Sequence, residues 1–204
     1  SAASDVYKRQ FLYRTDGYFK DQAEVDRYYA LYGEGKEDLT GVGAGSASRL
    51  RPGDTKRLDL NGDYKISGAG NENSDLQYLG DSNPHFVFGF TLGGSWKGID
   101  VNAMFQGVGK QYVIRNDWMA YPFQTRTANQ NPTYLGKTWT ESNPNAEFPR
   151  LTTNANLARW NYQNNDFMMQ NNRYIRLKTL IVGYTLPQIW TRKVKLEKVR
   201  VYFS

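Results

Sequence analysis

Asp59-Leu-Asn61-Gly-Asp63-Tyr-Lys65-Ile-Ser67 is the stretch of this chain whose residue types and spacing suit metal chemistry. Side-chain oxygens at positions one, three and five, with a backbone carbonyl at seven, open a calcium loop, because calcium takes about 6–8 hard oxygen ligands. In that frame Asp59, Asn61 and Asp63 are side-chain donors, Lys65 offers its carbonyl, and Ser67 at position nine acts through water. Position six is Tyr64 in place of glycine and position twelve is Gly70 in place of glutamate, with Glu72 or Asp75 as late carboxylates. The same residues also fit an Asn-Gly turn whose aspartates cap backbone amides. At the level of sequence both readings stand.

A second group of candidates is aromatic. Trp118, Trp139 and Trp160, with Tyr112, Tyr121, Tyr134 and Tyr162, punctuate a long segment over 111–172 rich in Asn, Gln, Thr and Pro. Exposed, they would stack on sugar rings or touch a partner protein; packed together, they would form the small apolar cores that close long loops. The second reading is the favoured one. Catalytic residues are not assigned. The chain has no cysteine and one histidine, His85, with no serine partner, and it contains no G-x-S-x-G, H-E-x-x-H or phosphate loop. None of its 20 acidic residues is singled out, so the expectation is a protein that is not an enzyme.

The element that must position these groups is a hairpin over 86–109. Phe86, Phe88, Phe90, Leu92 and Trp96 alternate with Val87, Gly89, Thr91, Gly93 and Ser95. After a Lys97-Gly98 turn, Ile99, Val101, Ala103 and Phe105 alternate with mainly polar residues. Folding about a two-residue turn pairs Trp96 with Ile99, Gly94 with Val101, Leu92 with Ala103 and Phe90 with Phe105, so both apolar stripes share one side. The other side pairs Ser95 with Asp100, Gly93 with Asn102 and Gly89 with Gln106. That side is glycine and uncharged polar, which suits a water-filled lumen, and each strand has about the 9–11 residues a tilted strand needs to cross a bilayer. Phe86, Phe88, Phe90, Leu92, Trp96, Ile99, Val101 and Phe105 are therefore the lipid-facing candidates.

Other elements follow from pattern. Phe11–Lys20 reads as a short strand, and Asp21…Glu24 as a capping box for a helix over 22–32 with Val25, Tyr28, Tyr29 and Tyr32 on one face. Residues 33–57 read as loop. In the strand Tyr174–Leu186, Leu180, Val182, Tyr184 and Leu186 share one face while Ile175, Leu177 and Ile181 share the other. The even face is taken as lipid-facing, with Arg176 and Lys178 at the outer rim. Lys198–Ser204 alternates as a last strand. Connections at 97–98 and 187–195 are short, with Trp96 and Trp190 beside them, while 33–84 and 111–172 are long, as in outer-membrane barrels. The mean hydropathy of −0.71 and the lack of any run of about 18 apolar residues argue against helical spans. A net charge of +6 is scattered, and the basic stretch Arg192, Lys193, Lys195 and Lys198 lacks interleaved aromatics, so nucleic acid is not an expected partner.

The fold class expected is all-β: a partial transmembrane antiparallel β-barrel with long extracellular loops and a short helix. A secreted, calcium-dependent glycan-binding β-domain is the alternative. No apolar signal segment opens the chain, and the closing strand carries no turn, so an internal piece of a longer protein is expected.

Several motifs resemble one family. Arg51-Pro-Gly-Asp54-Thr-Lys56 leading into Asp59-Leu-Asn-Gly-Asp63-Tyr-Lys-Ile66 resembles the PGD-x-K…D-x-NGDG-x-I stretch of SusC/RagA-type TonB-dependent outer-membrane transporters. Leu79-Gly-Asp-Ser-Asn83-Pro84, Phe88-Gly-Phe90, Trp96-Lys-Gly-Ile-Asp100, Phe105-Gln-Gly107, Trp139 through Asn143-Pro-Asn-Ala146, Pro149-Arg-Leu151 and Tyr174-Ile-Arg-Leu-Lys178…Gly183-Tyr-Thr-Leu-Pro187 follow in the family's order. The likeness runs from residue 11 to the end, and residues 1–10 look non-native or disordered. It implies a C-terminal part of a barrel of about 22 strands with a plug in its lumen. It also implies a SusD-type surface lipoprotein as lid, glycan or peptide cargo, outer-membrane lipid around the wall, and energy from a TonB complex acting through upstream regions absent here. The setting implied is the outer membrane of a Bacteroidetes-type bacterium, with Trp118, Trp139 and Trp160 near substrate or lid.

Overall fold

A computed structural model describes residues 9–32, 41–43, 45–68, 73–115, 122 and 131–204. The chain divides into two compact units, Ser1–Ser82 with Val113–Gln170, and Asn83–Tyr112 with Asn171–Ser204. Among the described residues no helix is long and apolar enough to cross a membrane, which says nothing of strands.

The second unit is one antiparallel sheet. Its strands are β5 (His85–Trp96), β6 (Ile99–Lys110), β9 (Tyr174–Thr185) and β10 (Arg200–Phe203), in the order β10-β9-β6-β5. Lys97 (φ 49) and Gly98 (φ 86) make the expected two-residue turn, whose left-handed residues match the twist of a tight hairpin. The hairpin register is as expected at every pair: Trp96 faces Ile99, Gly94 Val101, Leu92 Ala103, Phe90 Phe105, and Ser95 faces Asp100. The sheet does not close into a barrel. Pro187 ends the strand region, and the short helix α3 (Gln188–Thr191) fills the connection to β10.

The first unit is built from the segments expected as loops. It holds β1 (Arg9–Tyr13), β2 (Thr15–Tyr18), α1 (Gln22–Tyr32), β3 (Thr55–Arg57), β4 (Leu76–Asp81), most of β7 (Tyr112–Ile114), α2 (Ala155–Tyr162) and most of β8 (Met169–Asn171). β1 pairs with β4, β2 with β3 and β7 with β8. Three expectations are corrected here. Arg9 and Gln10 belong to β1, paired with Asp81 and Gly80, so these two are not disordered, and residues 1–8 lie outside the described residues. Residues 33–57 are not all loop, since Thr55–Arg57 pairs with β2. Residues 111–172 are not one long loop, since they carry β7, α2 and β8.

Helix α1 spans the residues expected. Asp21 Oδ1 accepts the Glu24 amide at 2.8 Å, and the Glu24 carboxylate accepts the Lys20 amide at 2.7 Å, one residue ahead of a standard capping box. Its Val25, Tyr28 and Tyr29 join Phe19, Val42, Leu50, Ile66, Leu157 and Trp160 in a core. Helix α2 is capped by the Asn154 side chain, which accepts from the amides of Asn156 and Leu157. Leu157 and Trp160 face the first core, while Ala158 and Tyr162 face a second with Tyr134, Phe148 and Met168. One helix thus serves two cores through neighbouring i, i+3 and i, i+4 stripes.

Candidate functional site

The candidate site with the most residues is the face of the four-stranded sheet. Register places five rows across it: Trp96–Ile99–Tyr184–Val201, Gly94–Val101–Val182–Phe203, Leu92–Ala103–Leu180, Phe90–Phe105–Leu177 and Phe88–Gly107–Ile175. Phe90 stacks on Phe105 at 5.0 Å between ring centres. The Phe88 ring lies over Gly107, where an added Cβ would meet it at 2.4 Å, so the glycine makes the room that the ring fills. Phe86, in the left-handed region at φ 55, leans on Gly109 of the same face. The eight residues expected to face lipid therefore do share one side. Seven of them are exposed in this chain, Phe86 at 78% and Trp96 at 69%, and Phe105 is half-buried.

Sequence reasoning missed how β9 reaches this face. Met104 pairs with Thr179 but Phe105 pairs with Leu177, so Lys178 is an extra residue in a β-bulge. One inserted residue reverses the alternation. Leu180, Val182 and Tyr184 on even positions and Ile175 and Leu177 on odd ones consequently lie on the same side. The choice of the even face alone is corrected, and so is the place of Arg176. It sits opposite Gln106 on the polar side, with its guanidinium 4.7 Å from the Tyr174 ring. The spacing of three between Leu177 and Leu180 was the available signal.

The polar side carries Ser95–Asp100–Gly183–Tyr202, Gly93–Asn102–Ile181, Thr91–Met104–Thr179 and Gly89–Gln106–Arg176. Arg200 Nε bonds Asp100 at 3.1 Å directly above Gly183, where an added Cβ would meet both partners within 2.8 Å. The ion pair exists because that position has no side chain.

The candidate calcium loop folds on its own amides. Asp59 accepts from Gly62 at 2.7 Å and from Tyr64 at 2.8 Å, Asn61 from Asp63 at 2.8 Å, and Asp63 from Lys65 at 2.9 Å. Buried Asp75 accepts from the amides of Leu60 and Ser67, and the Ser67 hydroxyl bonds the Asn73 carbonyl. Tyr64 takes the left-handed conformation (φ 62) that position six of a calcium loop reserves for glycine. Gly70 and Glu72 lie outside the described residues. Among the described residues no group of three or more acidic, histidine or cysteine side chains is placed to hold a metal. Among the described residues the donors are Asp59, Asn61, Asp63 and the Lys65 carbonyl, where calcium takes about six to eight oxygens.

Two of the three candidate stacking tryptophans are buried. Trp160 is 5% exposed, with its Nε1 donating to the Thr55 carbonyl at 2.9 Å, and Trp139 is 9% exposed, packed on Gly53. Their faces are spent on the protein, so the assignment of Trp139 and Trp160 to substrate or lid contact is corrected to core packing. Trp118 lies outside the described residues. The first unit is held instead by a polar network that joins two of the resemblance motifs, Arg51-Pro-Gly-Asp54 and Pro149-Arg-Leu151, whose pairing residue type alone did not reveal. Asp54, fully buried, meets Arg150 at 2.7 Å and accepts from Asn161 at 2.8 Å. Burial pushes its carboxyl above the ordinary range, against the pull of the Arg150 charge and of bonds from Arg150, Asn161 and the Arg51 amide. Asn161 Oδ1 in turn accepts the Thr55 amide.

No protein-family model matches the chain. The curated TonB-dependent receptor P3 of Formosa agariphila is 29% identical over 154 residues, which are 75% of this chain and 14% of that protein. In fold, the RagAB peptide transporter matches 74% of the chain and 16% of its own, at a TM-score of 0.50 and 24% identity. A RagAB peptide importer in the closed-closed state matches 94% of the chain and 18% of its own, at a TM-score of 0.45 and 21% identity. The chain spans 14% of the length of the curated relative. The resemblance to SusC/RagA-type TonB-dependent transporters is borne out, by the receptor in sequence and by the first RagAB structure in fold.

Proposed function

We propose that the four-stranded sheet is a stretch of wall in an outer-membrane β-barrel, and that the protein carrying it is a TonB-dependent importer of glycan oligomers or peptides. In this reading the apolar rows touch acyl chains and the Asp100–Arg200 side lines the lumen. A SusD-type surface lipoprotein caps the transporter, and a TonB complex drives it through regions outside this chain. In this reading the long connections leave the sheet at the strand ends away from the Lys97-Gly98 turn, the ends that carry extracellular loops in such barrels.

One observation carries the reading: an uncovered apolar face on strands of membrane-spanning length. β5, β6 and β9 have 12 residues each. At about 3.3 Å per residue and a tilt of about 40°, such strands rise about 30 Å, the thickness of a hydrocarbon core. Four strands about 4.8 Å apart expose an apolar area on the order of 600 Å², the upper end of what soluble monomers leave uncovered. The edges of β5 and β10 continue naturally into further strands, as a closed barrel requires. The names of the relatives, a TonB-dependent receptor and a peptide transporter, support import as the activity.

The chain has no cysteine, so single thiols report cleanly. Cysteines are placed in turn at Phe90, Thr91, Leu92 and Gly93, with the protein in outer membrane or liposomes. The expected result is alternation: positions 91 and 93 react with a charged thiol reagent, while 90 and 92 are protected and are quenched by lipid-borne spin labels. Equal reactivity along the strand in a water-soluble, monodisperse protein would overturn the wall and restore the secreted β-domain.

A further inference from the structure

Arg57, the last residue of β3, is a buried cation without a carboxylate. It is 8% exposed, and its guanidinium lies between the rings of Tyr13, at 3.9 Å, and Trp160, at 4.3 Å. Nε donates to Asn165 Oδ1 at 2.9 Å, and Nη2 donates to the carbonyls of Trp160 and Gln163 at 3.0 and 2.9 Å. Asn165 is fixed for this task, because its own amide nitrogen donates to the carbonyls of Trp160 and Asn161. Every acceptor is neutral. Among the described residues no acidic oxygen lies within ion-pair distance of Arg57, whereas two other buried or half-buried groups of this unit have charged partners, Asp54 with Arg150 and Lys56 with Glu24. Burial draws the guanidinium down to about 10, so it stays charged at neutral pH.

Two rings pack against the guanidinium, and Nε and Nη2 donate to neutral oxygens, so no opposite charge meets it among the described residues. Arg57 and Arg159 line one cavity of about 250 Å³, together with Tyr13, Trp160 and the amide-bearing residues Asn156, Gln163 and Asn164. No carboxylate lines it among the described residues. A cation removed from water is ordinarily matched by an opposite charge, and a second arginine on the same cavity raises that demand. The amides supply neutral donors and acceptors around it, and the volume suits a group the size of one monosaccharide or a short peptide end.

We propose that this cavity is a binding site for an oxyanion, a carboxylate or sulfate carried on a small polar unit, with Arg57 as the inner contact and Arg159 as the outer one. The site lies within the first unit and does not rest on the transport reading, so the two fail separately.

The test uses the full chain in detergent micelles, at constant ionic strength. Sodium glucuronate, sodium sulfate and N-acetylglycylglycinate are titrated against glucose, sodium chloride and N-acetylglycylglycinamide, with thermal melting and tryptophan fluorescence as readouts. At least one anionic probe is expected to raise the melting temperature saturably in the millimolar range, while its neutral or halide counterpart does not. The probe that succeeds names the source: a uronate, a sulfate ester or a peptide terminus. R159Q, at an exposed position, should leave the unliganded melting temperature unchanged and weaken binding about tenfold, and R159E should abolish it. R57Q should abolish it too; if that variant does not fold, the two Arg159 variants decide alone. Equal response to charged and neutral probes, no saturable shift with any anionic probe up to about 100 mM, or unchanged affinity in R159E would overturn the site.

Discussion

Gly53 is the point where backbone and packing demands coincide, and Gly53→Ala should be costly for two separable reasons. Gly53 sits at φ +88, where an L side chain is strained, and an added Cβ would lie 2.3 Å from Cε3 of the Trp139 indole. The residue cannot move away easily, because its amide donates to the Phe19 carbonyl at 2.7 Å and its carbonyl accepts from Arg150 at 2.9 Å. The conformational term is about 1–2 kcal/mol and the overpacking term about 1–3 kcal/mol, so the loss should be about 2–5 kcal/mol. A double-mutant cycle separates them. Trp139→Ala removes the obstructing ring, so in that background Gly53→Ala should cost only the conformational part, a coupling of about 1–3 kcal/mol. Urea unfolding in micelles, followed by hydrogen exchange over residues 46–56 and 141–151, reads the first unit directly. A Gly53→Ala variant within about 0.5 kcal/mol of wild type, or a cycle with no coupling, would refute the packing of Trp139 on this turn.

Three further outcomes follow from the geometry. Burial pushes the Glu24 carboxyl up, but hydrogen bonds from Lys56 and the Lys20 amide, with both lysine charges, outweigh it, so Glu24 titrates below its ordinary range. Its contribution is therefore complete above the unfolded value of about 4.3 and is lost as pH falls through the lowered one; the stability gap between wild type and Glu24→Gln should close on acidification, measured by urea titration from pH 7 to 3. Asp59→Ala should loosen the loop over 59–68 by about 1–3 kcal/mol without added calcium, since two amides lose their acceptor, and calcium should act only at millimolar levels or above; micromolar binding by calorimetry would refute that. Deleting Lys178 should leave cysteines at Leu177 and at Leu180 both protected from charged thiol reagents, and exposure of either one in that variant would refute the bulge.

The parts of the fold that were legible in the sequence are those governed by neighbours along the chain. The hairpin needed only a period of two and a turn that tolerates φ > 0 at Lys97 and Gly98. Helix α1 needed Asp21, Glu24 and a tyrosine stripe. The first unit escaped notice because its core joins segments about 100 residues apart: Thr55 to Asn161, Arg57 to Asn165, Ser48 to Asn154. Its asparagines look like loop composition, yet Asn154 caps a helix while Asn161 and Asn165 are fully buried acceptors and donors. Residue type alone does not distinguish a solvated asparagine from a buried one whose hydrogen bonds replace water. Arg57 was hidden in the same way, one cation in the charged run Lys56-Arg57.

The β9 strand shows a different limit, one that lies in the rule applied and not in missing partners. Its apolar residues at 175, 177, 180, 182 and 184 share the apolar face, with Ile181 left on the polar side opposite Asn102, and no strict alternation places those five on one side. Forced alternation sacrifices either Ile175 and Leu177 or the three that follow, and it sends Arg176 and Lys178 to the wrong environment. Allowing one extra residue between Leu177 and Leu180 removes the conflict at the cost of a single unpaired position, and the bulge falls at Lys178, a side chain long enough to reach water from either face. The bulge then makes the apolar face continuous over five rows. A gap of three between two alternating apolar runs is thus better read as an insertion in one strand than as a choice between two faces.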